Sequence, residues 1–344
     1  MRILVVMGGL TLPEVTEEEL KEIYVASGEG DIVVAADAEE AEQHWPDAEI
    51  ALGTLNQETF RRATNLKWLH STAAGADMLM FPEMVESDVS LTGENGLVGP
   101  HLADHAFALL LALTGEKGLV GPHLADHAFA LLLALTRQMR RAILEAPKSW
   151  PSRAPMRKVM VELQGMTMGI VGLGGTGRSV AERAVAFGMD CIAVDNEDVA
   201  PSPHVRTLWG MDRFHEMLSR CDVVTVCCPL TKETRGLFDD AAFDAMKPGA
   251  YIINVTRGPI IDLDAITKAM QSGKLGGAGL DVHPVEPLPE DHVLWTMPNA
   301  VITPHTAGAS QFRARRNVAR FIANLRHWRN GEPLEGEIDK QKGY

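Results

Sequence analysis

Three glycines, Gly172, Gly174 and Gly177, directly follow the apolar run Met166–Val171 in the order Gly-x-Gly-x-x-Gly. The run reads as a buried strand, and the residues after it as a helix over Arg178–Phe187. Each glycine has its own task in a strand–turn–helix that grips a dinucleotide. Gly172 permits the tight turn, Gly174 lets backbone approach a pyrophosphate, and Gly177 lets helix and strand pack closely. Gly175 and Thr176 complete the loop, and free N–H groups at the helix start suit phosphate oxygens. Such a triplet alone can also be a plain turn. Asp195 adds a second signal: it ends the next apolar run, 18 residues past Gly177, where a carboxylate can accept from ribose hydroxyls. Asn196-Glu197-Asp198 follow without Arg or Lys. A 2′-phosphate would meet like charge there, so NAD(H) is expected in preference to NADP(H).

The rest of the chain repeats the same alternation of short apolar runs and helical segments, which implies α/β sheets. One set of runs covers residues 2–7, Asp31–Ala35, Ala48–Leu52, Trp68–Ser71 and Val89–Thr92, with a helix over Thr16–Ala26. A second set covers Met166–Val171, Asp190–Val194, Val223–Cys227, Tyr251–Asn254, Gly277–Val282 and Ala300–Thr303. The first sheet has no closing helix of its own, so the long helical stretch Ala309–Asn330 is expected to return to it. The expected fold is therefore two doubly wound domains, a Rossmann NAD-binding domain inserted into a flavodoxin-like substrate domain. The substrate domain is placed at 1–95 plus 308–344 and the NAD-binding domain at 96–307, including the duplicated segment at 93–136. Two crossings, near 93–100 and 305–310, are expected to frame a closing cleft.

Gly93–Thr114 and Gly115–Thr136 are 22-residue copies that differ only at Asn95 against Lys117. They read as a recent or engineered tandem duplication, since two copies are too few for a solenoid. Pro100 and Pro122 suit helix starts, and each helix is apolar nearly all round, hence buried. The second copy runs directly into Arg137–Arg141 and is expected to be the native-like one. Whether the extra helix lies beside its twin or docks on another subunit is left open. His101 and His105, like His123 and His127, have the i, i+4 spacing of a metal pair. No third ligand accompanies them, and no metal is expected.

Composition excludes other classes. The chain has 344 residues and a net charge of −14, which argues against a nucleic-acid surface. The apolar run His105–Thr114 is far short of the ~20 residues of a membrane span. Cys191, Cys221, Cys227 and Cys228 lack CxxC spacing and read as reduced thiols of a cytoplasmic protein. No N-terminal signal is expected, because the opening apolar run stops at Gly8-Gly9.

Three further motifs sit past strands: Asn254-Val-Thr256-Arg257-Gly-Pro, Gly279-Leu-Asp281-Val-His-Pro-Val-Glu286-Pro and Thr303-Pro-His305-Thr-Ala-Gly308. Reduction of a keto acid needs hydride at the carbonyl carbon and a proton at its oxygen. Histidine suits the proton step, and a carboxylate beside it orients the ring and favours the imidazolium. Arginine can hold a substrate carboxylate and polarise the carbonyl. Taken singly, each residue could be merely structural.

Together these motifs resemble the D-isomer-specific 2-hydroxyacid dehydrogenase family, over nearly the whole chain and with matching spacing between Arg257, Glu286 and His305. The resemblance implies that His305 and Glu286 form the acid–base pair and that Arg257 clamps the substrate. It makes Lys67–Asp77 a substrate-carboxylate loop whose backbone donors are Ala74 and Gly75. It gives Asp281 the nicotinamide carboxamide and places Pro229 and Thr256 along the cofactor. A homodimer and a substrate of the glyoxylate or hydroxypyruvate kind are implied too. No regulatory domain after Tyr344 is expected, and family patterns associated with formate dehydrogenase are not seen. Two alternatives remain at this point: a non-catalytic NAD(H)-binding regulatory module of the same superfamily, and a folded chain inactivated by the duplication. His70, His283 and His292 match no family role and read as structural. Gly175-Thr176 departs from the family's usual larger residue and Ile but leaves all three glycines.

Overall fold

The computed structural model describes residues 1–8, 12, 14–72, 76–93, 120–145 and 150–342. These divide into two compact units. One holds the described residues up to 93, Val120 and those from 309 onward; the other runs from 121 to 308.

The first unit is built on five strands: β1 (Arg2–Val6), β2 (Asp31–Ala35), β3 (Ile50–Gly53), β4 (Trp68–Ser71) and β5 (Ser90–Thr92). All pair in parallel, in the order β2-β1-β3-β4-β5. This is the flavodoxin-like order expected. A parallel sheet must be covered on both faces. Leu4, Leu69 and Leu91 pack on one side and Ile3, Val5, Leu52 and Trp68 on the other. The second face is closed by the helix Arg313–Asn330, whose Val318, Phe321, Ile322 and Leu325 join that core. Phe321 and Trp328 lie 5.1 and 5.8 Å from the Trp68 ring. The C-terminal helix thus returns to the first sheet as its apolar pattern requires. The helix Glu17–Ser27 begins one residue later than expected because Thr16 is its cap: the hydroxyl accepts from the Glu19 N–H, and Glu19 answers on the Thr16 N–H.

Beneath Trp68 lies a buried polar chain. The Trp68 indole donates to Thr92 Oγ1 at 2.8 Å, and His70 meets Thr92 Oγ1 at 2.8 Å and Asn317 Oδ1 at 2.7 Å. The amide oxygen only accepts, so His70 carries its proton on Nε2 and takes one from Thr92 at Nδ1.

The second unit has seven parallel strands: β6 (Thr167–Val171), β7 (Asp190–Asp195), β8 (Thr207–Gly210), β9 (Val223–Val226), β10 (Ala250–Asn254), β11 (Leu275–Leu280) and β12 (Ala300–Ile302). Their order is β12-β11-β10-β9-β6-β7-β8. This is the doubly wound dinucleotide-binding order with one strand added at the β12 edge, and its direction reverses between β6 and β9. Six strands were expected; β8 is the addition. It is a four-residue edge strand, half exposed, and its Leu208-Trp209 pair is too short to show a period.

The second copy of the repeat supplies the helix Gly121–Thr136, with Ala125, Ala128, Phe129, Leu131, Leu132 and Leu135 buried in the core of this unit. It lies close because its neighbours lack side chains: a Cβ on Gly279 would stand 2.8 Å from Leu131, and one on Gly277 3.1 Å from Leu135. Apart from Gly93, the first copy is outside the described residues.

The pH dependence of stability follows from His70. Burial pushes its pKa down from 6.5 to about 3. The unfolded chain takes up a proton that the folded one refuses, so stability is complete above 6.5 and is lost as pH falls toward about 3, at about 1.4 kcal/mol per unit. Between about pH 7 and 5, wild type should lose roughly 2 kcal/mol more than His70→Gln in urea unfolding; equal losses would remove His70 from this role.

Candidate active site

The strands of the second unit end on one line. Trp209, Val194, Val171, Val226, Asn254, Leu280 and Ile302 are register partners across the sheet. Each residue assigned a role from 172 to 305 lies one to six positions beyond that line, along one carboxyl edge, where doubly wound sheets bind ligands.

The switch point carries the glycine loop. Gly172 has φ +95°, and a Cβ there would meet the Cys228 N at 2.7 Å, so the loops after β6 and β9 press together. A Cβ on Gly177 would stand 2.1 Å from the Gly172 carbonyl. Around Gly174 the space is open to 4 Å. The helix that follows is Gly175–Ala186, with Gly174 as a cap that has no side-chain hydrogen bond. Gly175, Thr176 and Gly177 are therefore its first turn, which corrects the expected start at Arg178. Four orphan N–H groups facing an unfilled glycine hollow fit a pyrophosphate. Asp195 is tied into the same structure, accepting from the Leu173 N–H at 2.7 Å and the Glu197 N–H at 3.0 Å. The Arg178 guanidinium is drawn onto the carbonyls of Ala200 and Pro201. Pro229 follows β9 and accepts from the Thr234 hydroxyl at 2.7 Å.

His305 and Glu286 are brought together: Nδ1 and Oε2 are 2.8 Å apart, and the side chains are 46% and 36% exposed. The other Glu286 oxygen accepts from the His283 N–H at 2.9 Å. His305 has φ +53°, a left-handed conformation that strains any residue with a Cβ. Its N–H donates to the Asp281 carbonyl at 2.8 Å. His283 lies nearby, but its ring is buried, and burial lowers its pKa from the ordinary value. Of these two imidazoles, His305 is the one open to a substrate.

Arg257 stands on the neighbouring loop. A Cβ on Gly258 would fall 1.9 Å from the His283 carbonyl carbon, so the two loops touch backbone to backbone. The guanidinium donates to the Thr256 carbonyl at 2.8 Å, and Asn254 Nδ2 holds the Arg257 carbonyl at 3.0 Å. Thr256 in turn donates through its N–H and hydroxyl to Asn254 Oδ1.

Asp281 is turned inward. It is 0% exposed, and its carboxylate accepts from the Thr303 hydroxyl at 2.6 Å and from the Thr306 and Ala307 N–H groups at 2.9 and 2.8 Å. Its carboxylate holds the loop that carries His305. Sequence reasoning missed two partners of this group, Thr303 and His127. His127 was noticed only as half of a possible metal pair; among the described residues no metal-ligating group forms. Ala74 and Gly75 lie outside the described residues. No helix among the described residues is long and apolar enough to cross a membrane.

The chain as a whole is similar to known proteins. A family model described as D-isomer specific 2-hydroxyacid dehydrogenase, NAD binding domain, matches residues 129–307. A glyoxylate reductase from Pyrococcus furiosus is 32% identical over 289 residues, 83% of this chain and 80% of that protein. A D-isomer specific 2-hydroxyacid dehydrogenase family protein from Aeromonas salmonicida superposes with a TM-score of 0.73 at 26% identity, over 98% of this chain and 99% of that one. An NADPH-dependent glyoxylate/hydroxypyruvate reductase from Sinorhizobium meliloti, solved with NADP and sulfate, has a similar fold, with a TM-score of 0.74 at 24% identity over 100% and 99% of the two chains. Matched by the family model over residues 129–307 and 32% identical to a glyoxylate reductase over most of its length, this chain belongs to the D-isomer specific 2-hydroxyacid dehydrogenase family.

Proposed function

We propose that the protein interconverts a small 2-keto acid and its D-2-hydroxy acid, with glyoxylate or hydroxypyruvate as the type of substrate and NAD(H) as the preferred cofactor. The observation that carries this reading is the exposed His305 ring held by Glu286 at 2.8 Å. The dinucleotide, when bound, supplies or accepts the hydride. The residues of the chain handle the proton and the charge.

Because Nδ1 faces a carboxylate, it keeps its proton, and Nε2 is left as the exchanging nitrogen. In reduction, His305 gives the Nε2 proton to the carbonyl oxygen; in oxidation it takes the hydroxyl proton back. Arg257 holds the substrate carboxylate and stabilises negative charge growing on the carbonyl oxygen. NAD(H) preference is supported by Asp195 at the end of β7, with Glu197 and Asp198 after it, and by Arg178 being engaged with backbone carbonyls. Cytoplasmic placement is supported by four buried, unpaired cysteines. A homodimer is supported by the exposed apolar side chains Ile143, Leu144, Trp150 and Val159.

Three outcomes test the reading. His305→Ala should lower kcat with NADH and glyoxylate or hydroxypyruvate by at least ~10² while NADH affinity stays within about twofold; unchanged turnover would reject His305 as the proton donor. Asp195→Ser should narrow the preference for NADH over NADPH by roughly tenfold or more in kcat/KM; an unaltered ratio would place discrimination elsewhere. Tight NADH binding with no oxidation by any 2-keto acid would favour a regulatory module instead.

A further inference from the structure

The loop that carries His305 is held from a third element. His127, on the helix Gly121–Thr136, places Nε2 2.8 Å from Thr303 Oγ1 and 3.4 Å from Asp281 Oδ1. The proton positions follow from the chemistry. Thr303 Oγ1 is 2.6 Å from Asp281 Oδ1, and a carboxylate only accepts, so the single hydroxyl proton points to Asp281. The hydroxyl can then offer His127 only a lone pair, and the Nε2 of His127 must carry the proton. The chain of donation runs His127 Nε2–H to Thr303 Oγ1–H to Asp281.

We infer that His127 is a positioning residue for the reaction: through Thr303 and Asp281 it fixes the segment 303–307 and so the direction of the His305 ring. This rests on His305 acting as the proton donor. Asp281 binds that segment at the Thr303 hydroxyl, the Thr306 N–H and the Ala307 N–H, and its carbonyl takes the His305 N–H. Four bonds from one residue bracket a left-handed backbone at His305. A fully buried carboxylate is costly unless its donors are complete. His127, 23% exposed, acts on that carboxylate through the Thr303 hydroxyl, from the only other element that donates into this group among the described residues. Loss of that donor would free the Thr303 hydroxyl to turn and slacken the segment, and a shift near 1 Å can cost about 10²-fold in rate. His105, the matching residue of the first copy, lies outside the described residues, so the sequence leaves two candidates where the structure names one.

The test compares His127→Leu, of similar bulk without a donor, with His127→Gln, whose amide nitrogen reaches near the Nε2 position. His127→Leu should lower kcat about tenfold or more, with NADH affinity unchanged by equilibrium titration, and His127→Gln should recover most of the loss. Should His127→Leu fail to fold, Thr303→Val against Thr303→Ser asks the same question of the next link. Independently of activity, the 15N spectrum of the free protein should show His127 protonated at Nε2. Full turnover in both His127→Leu and Thr303→Val, or a His127 protonated only at Nδ1, overturns the inference while leaving His305 in place. Full turnover in His305→Ala overturns the reading on which it rests.

Discussion

The Asp281 carboxylate has no surface open to water, so every lone pair it uses must be met by protein. That requirement organises the edge of the sheet around it. β11 delivers Asp281 directly, β12 delivers Thr303, Thr306 and Ala307, and the helix Gly121–Thr136 delivers His127. The loop from Asp281 then turns back within five residues to place Glu286 against His305. An apolar residue at 281 would leave these donors unsatisfied beside the His305 ring, a cost of about 1–3 kcal/mol for each. Structural and chemical demands therefore meet at one side chain.

The glycines act in the same way at larger scale. Where β11 must accept a helix on its face, Gly277 and Gly279 stand in for bulky residues. Where the Arg257 loop must touch the His283 loop, Gly258 removes the obstruction. Between β6 and β9 the same is achieved by Gly172. Close backbone approach at these points brings loops distant in sequence onto one edge without long connections, and the shared register of the strand ends keeps them level.

Much of this was legible in the sequence for a physical reason. Strands buried on both faces appear as compact runs, and β4, buried throughout, matches its expected limits residue for residue; β2, at an edge, matches because Ile32–Ala35 is still an unbroken apolar run. Fingerprint spacing located the glycine loop, Asp195, Arg257, Glu286 and His305 because each follows a strand end. Local signals failed where burial is partial or partners are distant. β8 lies at an edge, with too few buried positions to reveal its period. His127 and Thr303 are 176 residues apart, and His70 and Asn317 are 247 apart. No pattern along the chain announces such pairs; only a folded sheet brings them within 3 Å. The position of Asp281 past β11 is legible from spacing, but its bonds to Thr303, Thr306 and Ala307 are not, because they too are long-range.

The left-handed backbone at His305 also bears on how this protein can drift. Glycine or asparagine occupies that conformation at less cost than histidine. Selection for thermal tolerance alone would favour such replacements, which would also remove the ring that Glu286 holds. Histidine is itself among the residues enriched in this conformation, so the backbone tolerates it; what the scaffold alone does not require is a half-exposed ring paired with Glu286.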